Sequence, residues 1–311
     1  MNAFSRFGFL TTAITYLLIF AGGLVRVSGA GMGCPDWPKC FGRWFPPTSV
    51  DQLPAHIDPV LFNFTLAWIE YVNRLLGMVT GLLIAALAVW AIARYRRVRR
   101  IVWPAVVAAL LVAFQGWQGS QVVASHLEPG VVTVHLILAL VIVSLLIWVT
   151  LQAWFHDNRE TGRQAGYPRA TRKLALLLWI VALVQIGLGT QIREALEIVR
   201  RQLPLATPAD WYAAVGAINH IHLFLGLALA GLTWFVGHRL LTRSREPHIL
   251  AVQSMVTMMV LVGFQIALGF GFILLGIPAI LQLLHQWVAA LYIGLILILF
   301  VATGRSRKRR Y

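Results

Sequence analysis

Eight apolar runs, each of about 20 residues or more, constrain this chain more than any other feature, because that length crosses the hydrocarbon of a bilayer as an α-helix. They lie at roughly 8–28, 65–93, 101–123, 131–154, 173–192, 213–238, 249–275 and 279–303. Backbone polar groups in lipid must be satisfied within the spanning structure, so runs of this length read as helices. The composition agrees. Hydrophobic residues make up 59% and charged residues 12% of 311, with a mean hydropathy of +0.76. Soluble domains carry about 45–50% apolar and about 25% charged residues. A soluble globular protein and a disordered chain are both excluded. The first run follows a short basic N-terminus, as in a signal peptide. Its apolar stretch exceeds the usual h-region of about 7–15 residues, so it reads as a retained span.

The net charge of +15 would suggest nucleic acid in a soluble protein. Here the cations sit in short loops between apolar runs and carry topology instead. With eight crossings, Arg6, the run Arg94/Arg96/Arg97/Arg99/Arg100, the loop Arg159/Arg163/Arg169/Arg172/Lys173, the group Arg239/Arg243/Arg245 and the tail Arg305/Arg307/Lys308/Arg309/Arg310 all fall on one side. The positive-inside rule makes that side, with both termini, cytoplasmic. The loops at about 29–64 and 193–212 then face outward. The two cysteines, Cys34 and Cys40, lie in the first of them. An oxidising location permits a disulfide there; a structural staple and a redox-active pair both fit the spacing. Two cysteines without a nearby histidine make a poor zinc site.

The two halves resemble each other. Phe114-Gln115 recurs as Phe264-Gln265 and His135 as His285, both at an offset of 150. Asn73 in Asn-Arg-Leu-Leu-Gly matches His222 in His-Leu-Phe-Leu-Gly at an offset of 149. Gly22-Gly23-Leu24-Val25-Arg26 loosely matches Gly189-Thr190-Gln191-Ile192-Arg193 at 167, the extra residues fitting a longer first outer loop. The expected architecture is therefore an all-α integral membrane protein with eight transmembrane helices in two tandem pseudo-symmetric four-helix bundles. The N-terminal half covers 1–154 and the C-terminal half 172–303, with a basic cytoplasmic tail at 304–311. Four helices of like orientation per half imply a parallel repeat about an axis along the membrane normal.

Ionisable residues inside spans are functional candidates by default. His222 and His285 lie in the sixth and eighth runs, about two turns in from the outer side, so they can face each other across a bundle. Two facing imidazoles are what a six-coordinate haem iron requires. Gly226, one turn below His222, leaves room for a flat ring. The alternative is a histidine hydrogen-bonded to a neighbouring helix. The first half has His135 at the matching place but Asn73 where the second histidine would stand. The two sites should therefore differ, one closed by two strong ligands and one with a single strong ligand. A closed haem transfers electrons; an open one can be a substrate or do chemistry.

Glu70 is the one carboxylate well placed within a run. Glu70, Asn73 and Arg74 share a helix face at i, i+3 and i+4. An interfacial Glu70–Arg74 ion pair and an acid/base or cation-stabilising carboxylate fit equally well. Arg26, Arg74 and Arg193 lie near outer helix ends, where they could hold haem propionates or act as interfacial anchors. His126 and His220 are outer-side extras without a role; His56, His156, His238 and His248 read as surface. Gly77-x-x-x-Gly81 suits close helix packing, and Gln115, Gln118, Gln121, Gln185 and Gln191 read as interhelical glue. Trp37, Trp44, Trp68, Trp211 and Tyr212 suit an interfacial belt.

At these residues the chain resembles the heme A synthase family. The matching pieces are residues 22–31 (Gly-Gly-Leu-Val-Arg-Val-Ser-Gly-Ala-Gly), the Cys34/Cys40 loop, Glu70-Tyr71-Val72-Asn73-Arg74, residues 129–135 ending at His135, and His222 and His285. Each is weak alone; the ordered set is specific and covers nearly the whole chain. The resemblance implies an enzyme, an oxidoreductase that converts heme O to heme A by successive hydroxylation of the C8 methyl group to a formyl. It implies that His222 and His285 ligate a b-type haem (heme B) in the C-terminal half, and that His135 faces the iron of the substrate haem in the N-terminal half. Glu70 would be the family's essential carboxylate, and Cys34 and Cys40 its outer-loop pair. Where many members read Glu-x-x-His-Arg, this chain reads Glu-x-x-Asn-Arg, leaving His135 as the substrate iron's one strong ligand. The implied partners are heme O, membrane lipid, heme O synthase and terminal-oxidase assembly factors, with a homo-oligomer left open and nucleic acid excluded. The implied location is the bacterial inner membrane.

Two other classes compete. A di-haem electron carrier linked to a quinol would use both sites without altering a haem, but would more naturally keep four strong axial ligands. A transporter would account for the repeat and the polar midmembrane residues, but would bind no pigment. The prenyl transfer that makes heme O would want Asp-rich metal–diphosphate motifs, and the five Asp residues are scattered in loops.

Overall fold

The computed structural model describes residues 2–55, 57–158, 166–168 and 170–304. His56, Arg159, Arg163, Arg169 and the tail from Arg305 onward, placed above in loops or at the surface, lie outside those residues. Eight helices long and apolar enough to cross a membrane follow the eight apolar runs. They are α1 (Ala3–Val27), α2 (Phe64–Tyr95), α3 (Arg99–Ala124), α4 (Pro129–Asp157), α5 (Thr171–Gln202), α7 (Ala217–Arg243), α8 (Ile249–Leu275) and α9 (Ala279–Thr303), with a short α6 (Pro208–Val215) between the fifth and sixth spans. The chain is an all-α integral membrane protein.

Two differences from the sequence reading lie in the second outer segment. α5 runs ten residues past its apolar stretch, so Arg193, Arg200 and Arg201 are helical rather than in a loop. The extension is held by charge and by a small apolar cluster. Arg201 bonds Glu197 one turn earlier at 2.8 Å. Ile192 and Leu196 pack with Ile277 and with Trp211 and Tyr212 of α6. The start of α6 is fixed by a capping box, in which Thr207 and Asp210 satisfy each other's backbone N–H groups, with Pro208 in the first turn. Thr207-Pro208-Ala209-Asp210 was the available signal. Gly77 and Gly81 do not form a tight crossing: a Cβ at Gly81 would meet nothing within 4 Å. His248 is not simply surface. Its ring accepts the Leu250 N–H and caps α8.

The helices pack in two rings. In the first, α1 packs on α2, α2 on α3, α3 on α4 and α4 on α1. In the second, α5 packs on α7, α7 on α8, α8 on α9 and α9 on α5. The rings meet through α4 on α9, α1 on α9 and α4 on α5. This order places α2 diagonally opposite α4, and α7 diagonally opposite α9. Each ring is filled with apolar side chains toward the face carrying the termini. One core contains Phe4, Leu87, Tyr95, Ile101, Leu146 and Val149; the other contains Leu178, Leu240, Met255, Met258, Ile293 and Leu299. In the second ring a buried Thr233–Tyr292 hydrogen bond of 2.5 Å ties α7 to α9 across the diagonal. The opposite, loop-bearing ends hold His135, His222 and His285.

α1 belongs to this packing. Phe4 is edge-on to Trp90 and Tyr95, and Asn2 both caps the helix and bonds Asp157 at the end of α4. Thr11, Thr12 and Thr15 are buried and return their hydroxyls to carbonyls one turn back. α9 is the most enclosed span, 56% buried over its most apolar window against 17–33% for the others. A Cβ at Gly294 of α9 would collide with the Tyr16 hydroxyl of α1 and approach Ile147 Cδ1 of α4 to 2.9 Å. Gly294→Ala is expected to cost about 1–3 kcal/mol through overpacking, read as a lower thermal unfolding midpoint in detergent. An unchanged midpoint would show that the three helices do not meet as described.

Candidate functional site

The two rings carry related sets of polar side chains at their loop-bearing ends. His222 and His285 start from diagonal helices, five residues into α7 and six into α9, or about 8–9 Å along the axis from each helix start. Each Nδ1 is buried without a hydrogen-bond partner, and no ring nitrogen of either residue bonds another described residue. Neither histidine therefore serves as the interhelical hydrogen bond that was the alternative reading. Phe272 stands beside the His285 ring, with centroids 5.2 Å apart. A Cβ on Gly189 of α5 would lie 3.2 Å from His222 Cε1, so the imidazole lies close against that backbone. At Gly226 the side chain lost by glycine makes room for the Gln185 amide, which donates to the His222 carbonyl at 2.8 Å. Two unpartnered imidazoles on opposing helices beside a bare stretch of backbone fit a flat macrocycle with two axial ligands.

In the first ring the matching residues are Asn73 on α2 and His135 on α4. Asn73 Oδ1 is buried without a partner, and a Cβ on Gly22 of α1 would lie 4.0 Å from it, a looser approach than that of Gly189 to His222. The His135 ring differs from its counterparts, because its Nδ1 lies 2.5 Å from Gln118 Oε1. Gln115 on the same face of α3 donates to the His135 carbonyl at 2.9 Å. The two rings communicate nearby: Thr133 and Thr190 bond across α4 and α5 at 2.8 Å, and Gln191 reaches Thr133 at 3.1 Å. Of the glutamines read as glue, Gln115, Gln118, Gln185 and Gln191 bridge helices in this way, whereas Gln121 bonds only its neighbour Ser120.

Glu70 is 4% exposed and faces the outer loop. The ion pair with Arg74, one of the two readings of this residue, is present: Arg74 Nε donates to Glu70 Oε1 at 3.1 Å, and its terminal nitrogen makes a second bond to the same oxygen. The other carboxylate oxygen accepts the Cys34 N–H at 2.7 Å. Arg74 also donates to the carbonyls of Cys34 (3.0 Å), Asp36 (2.7 Å) and Lys39 (2.9 Å). These bonds use every N–H of the guanidinium, leaving no donor free for a propionate. Cys34 and Cys40 are disulfide-bonded and buried, and they pack with Phe41 and Ala67. Gly33 lets this hairpin lie directly on α2, because a Cβ there would strike the Leu66 backbone.

Arg26 bonds Glu194 of α5 at 2.9 Å, an acidic partner hidden from the sequence reading by the unforeseen helical extension. Arg193 bonds Gln282 of α9 at 3.1 Å and the Arg26 carbonyl at 3.3 Å, and so sits one turn from His285. His126 and His220 take no part in these networks. Among the described residues no group of three or more His, Cys, Asp or Glu side chains is placed to hold a metal ion.

Comparison with known proteins points the same way. The family model COX15-CtaA, described as cytochrome oxidase assembly protein, matches residues 5–297. The chain is 28% identical to a heme A synthase of Methylobacterium sp. (strain 4-46), over 94% of this chain and 90% of the relative. It is 26% identical to a heme A synthase of Exiguobacterium sibiricum over 99% and 97% of the two chains. A heme A synthase of Shewanella oneidensis is 31% identical over 58% of this chain, a match spanning about half the relative's length, 54%.

Arg74→Lys tests the outer clamp. Lysine keeps the charge but has three donors in place of a planar fork, so at least one of the loop carbonyls loses its partner. The amide protons of residues 34–40 are expected to exchange faster by hydrogen–deuterium mass spectrometry; wild-type protection in the variant would refute the clamp.

Proposed function

The chain belongs to the COX15-CtaA family of cytochrome oxidase assembly proteins, and from that premise we propose that it converts heme O to heme A, with a b-type haem as resident electron-transfer group. It is an enzyme of heme A formation, an oxidoreductase, and heme O is its substrate. The observation that carries the site assignment is the diagonal pair His222 and His285, neither of which has a protein partner for its ring. These two would hold heme B in the C-terminal ring, and Gly189 lets the His222 imidazole lie close against α5. Heme B supplies one-electron redox chemistry when bound.

The substrate haem would occupy the N-terminal ring with His135 toward its iron. Asn73 stands where a second histidine would close the site. A side chain that ligates iron poorly suits a haem that must leave as product. Glu70 would stabilise positive charge developing at the reacting carbon, as a buried carboxylate facing the same ring end. Arg193 and Arg26 would receive propionates. Arg74 does something else, holding the disulfide hairpin over Glu70. The buried Cys34–Cys40 pair favours the staple over the redox-active reading, since buried cysteines are poorly reactive.

The two packing rings, 1–154 and 172–303, support two pseudo-symmetric four-helix bundles in tandem. The cation pattern supports cytoplasmic termini, with the hairpin on the outer side of the bacterial inner membrane. Heme O synthase, as supplier, and terminal-oxidase assembly factors, as consumers, are the partners this chemistry requires.

His222→Ala or His285→Ala is expected to abolish the low-spin haem spectrum of the purified protein; a retained spectrum would count against the ligand assignment. Glu70→Ala is expected to keep that haem but stop heme O oxidation, scored by extracting the pigments and identifying them by mass. Normal heme A yield in this variant would remove Glu70 from the reaction. Extraction of heme B alone from cells supplied with heme O would instead favour the electron carrier.

A further inference from the structure

The repeat gives an internal control for every residue near the histidines. At the offset of 150 that relates His135 to His285, Gln115 corresponds to Gln265, but Gln118 corresponds to Leu268. A polar side chain in the first ring thus stands where the second has an apolar one. Gln118 is 5% exposed, and both ends of its amide are used. Its Nε2 donates to the Val131 carbonyl at 2.9 Å. A carbonyl only accepts, so this bond fixes which end of the amide is nitrogen. The oxygen end therefore faces His135 Nδ1 at 2.5 Å and can only accept. His135 must carry its proton on Nδ1, which leaves the Nε2 lone pair free. His222 and His285 have no such partner, and their Nδ1 atoms are orphaned.

We propose that Gln118 is a positioning residue for His135, setting its tautomer and ring plane so that Nε2 is presented as the single strong ligand to the substrate haem iron. The inference rests on the reading of His135 as that ligand. Hydrogen bonding from the far nitrogen raises the basicity of a ligating imidazole, and loss of such a partner typically costs about 10–100-fold in affinity. The device stands in the ring where Asn73 has removed the second histidine. One well-oriented ligand compensates for the missing one while still allowing release. Gln115, one turn away on α3, secures the backbone of the same residue.

The test is resonance Raman spectroscopy of the full-length ferrous protein loaded with heme O. The iron–histidine stretching band of a five-coordinate haem reports the hydrogen bond at Nδ1. The six-coordinate haem of the other ring does not contribute to that band, and its low-spin absorption serves as the folding control. The band should be present in the native protein and lost in His135→Ala. Gln118→Leu should move it to lower frequency and weaken heme O retention by about 10–100-fold. Gln118→Glu, a stronger acceptor of nearly the same size, should move it to higher frequency, and decides the matter if the leucine variant does not accumulate. A band that His135→Ala removes but neither Gln118 variant moves would overturn the role of Gln118 and leave the ligand assignment standing. A band that is absent, or survives His135→Ala, would overturn both.

Discussion

A ring of four helices in which each touches two neighbours leaves its diagonal pairs apart, and the interior between them must be filled. That constraint organises the whole molecule. Toward the face bearing the termini, Leu, Ile, Met and aromatic side chains fill both rings. Tyr292 and Thr233 reach across one of them. Toward the other face the diagonals carry His222 opposite His285 and Asn73 opposite His135. Imidazole nitrogens at such depth are costly unless something accepts them. The protein supplies Gln118 to one of the three histidines and nothing to the other two. The planar, metal-bearing ligand proposed for these diagonals would meet both demands at once, filling the space and engaging the imidazoles.

The two rings share a plan but have diverged in polarity. In the second, both diagonal positions carry histidine and the neighbouring α8 position is Leu268. In the first, one histidine has become Asn73 and the α3 position is Gln118. Under the proposed assignment these differences offset each other chemically: one leaves out a ligand, the other would steady the ligand that remains. The outer loop adds a further asymmetry. Only the first ring carries a disulfide hairpin, and the Glu70–Arg74 pair anchors it through bonds to the backbone of residues 34–39.

Much of this was legible in the sequence because lipid makes periodicity blunt and length decisive. Eight apolar runs became eight helices, and the offsets of 150 and 149 brought the matched residues to corresponding diagonal helices. What escaped was determined by contacts that periodicity does not encode. α5 continues to Gln202 because Glu197, Arg201, Leu196 and Ile192 find partners in three dimensions. Arg26 was legible as a cation, but its partner Glu194 was not, since that glutamate was assigned to a loop. The α6 cap was written plainly in Thr207–Asp210 yet sat within a stretch read as loop running into a span. Gln118 looked like any other membrane glutamine until its two ends could be told apart by the groups they meet.

The position of α9 bears on biogenesis. Among the eight described spans it is the most enclosed, and it covers α1 and α4 as well as α5 and α8. The first half therefore cannot finish its inner wall before residues 279–303 are made, and Tyr16 gains its bond to the Ala290 carbonyl only then. The two rings share one wall and so must mature together rather than in turn.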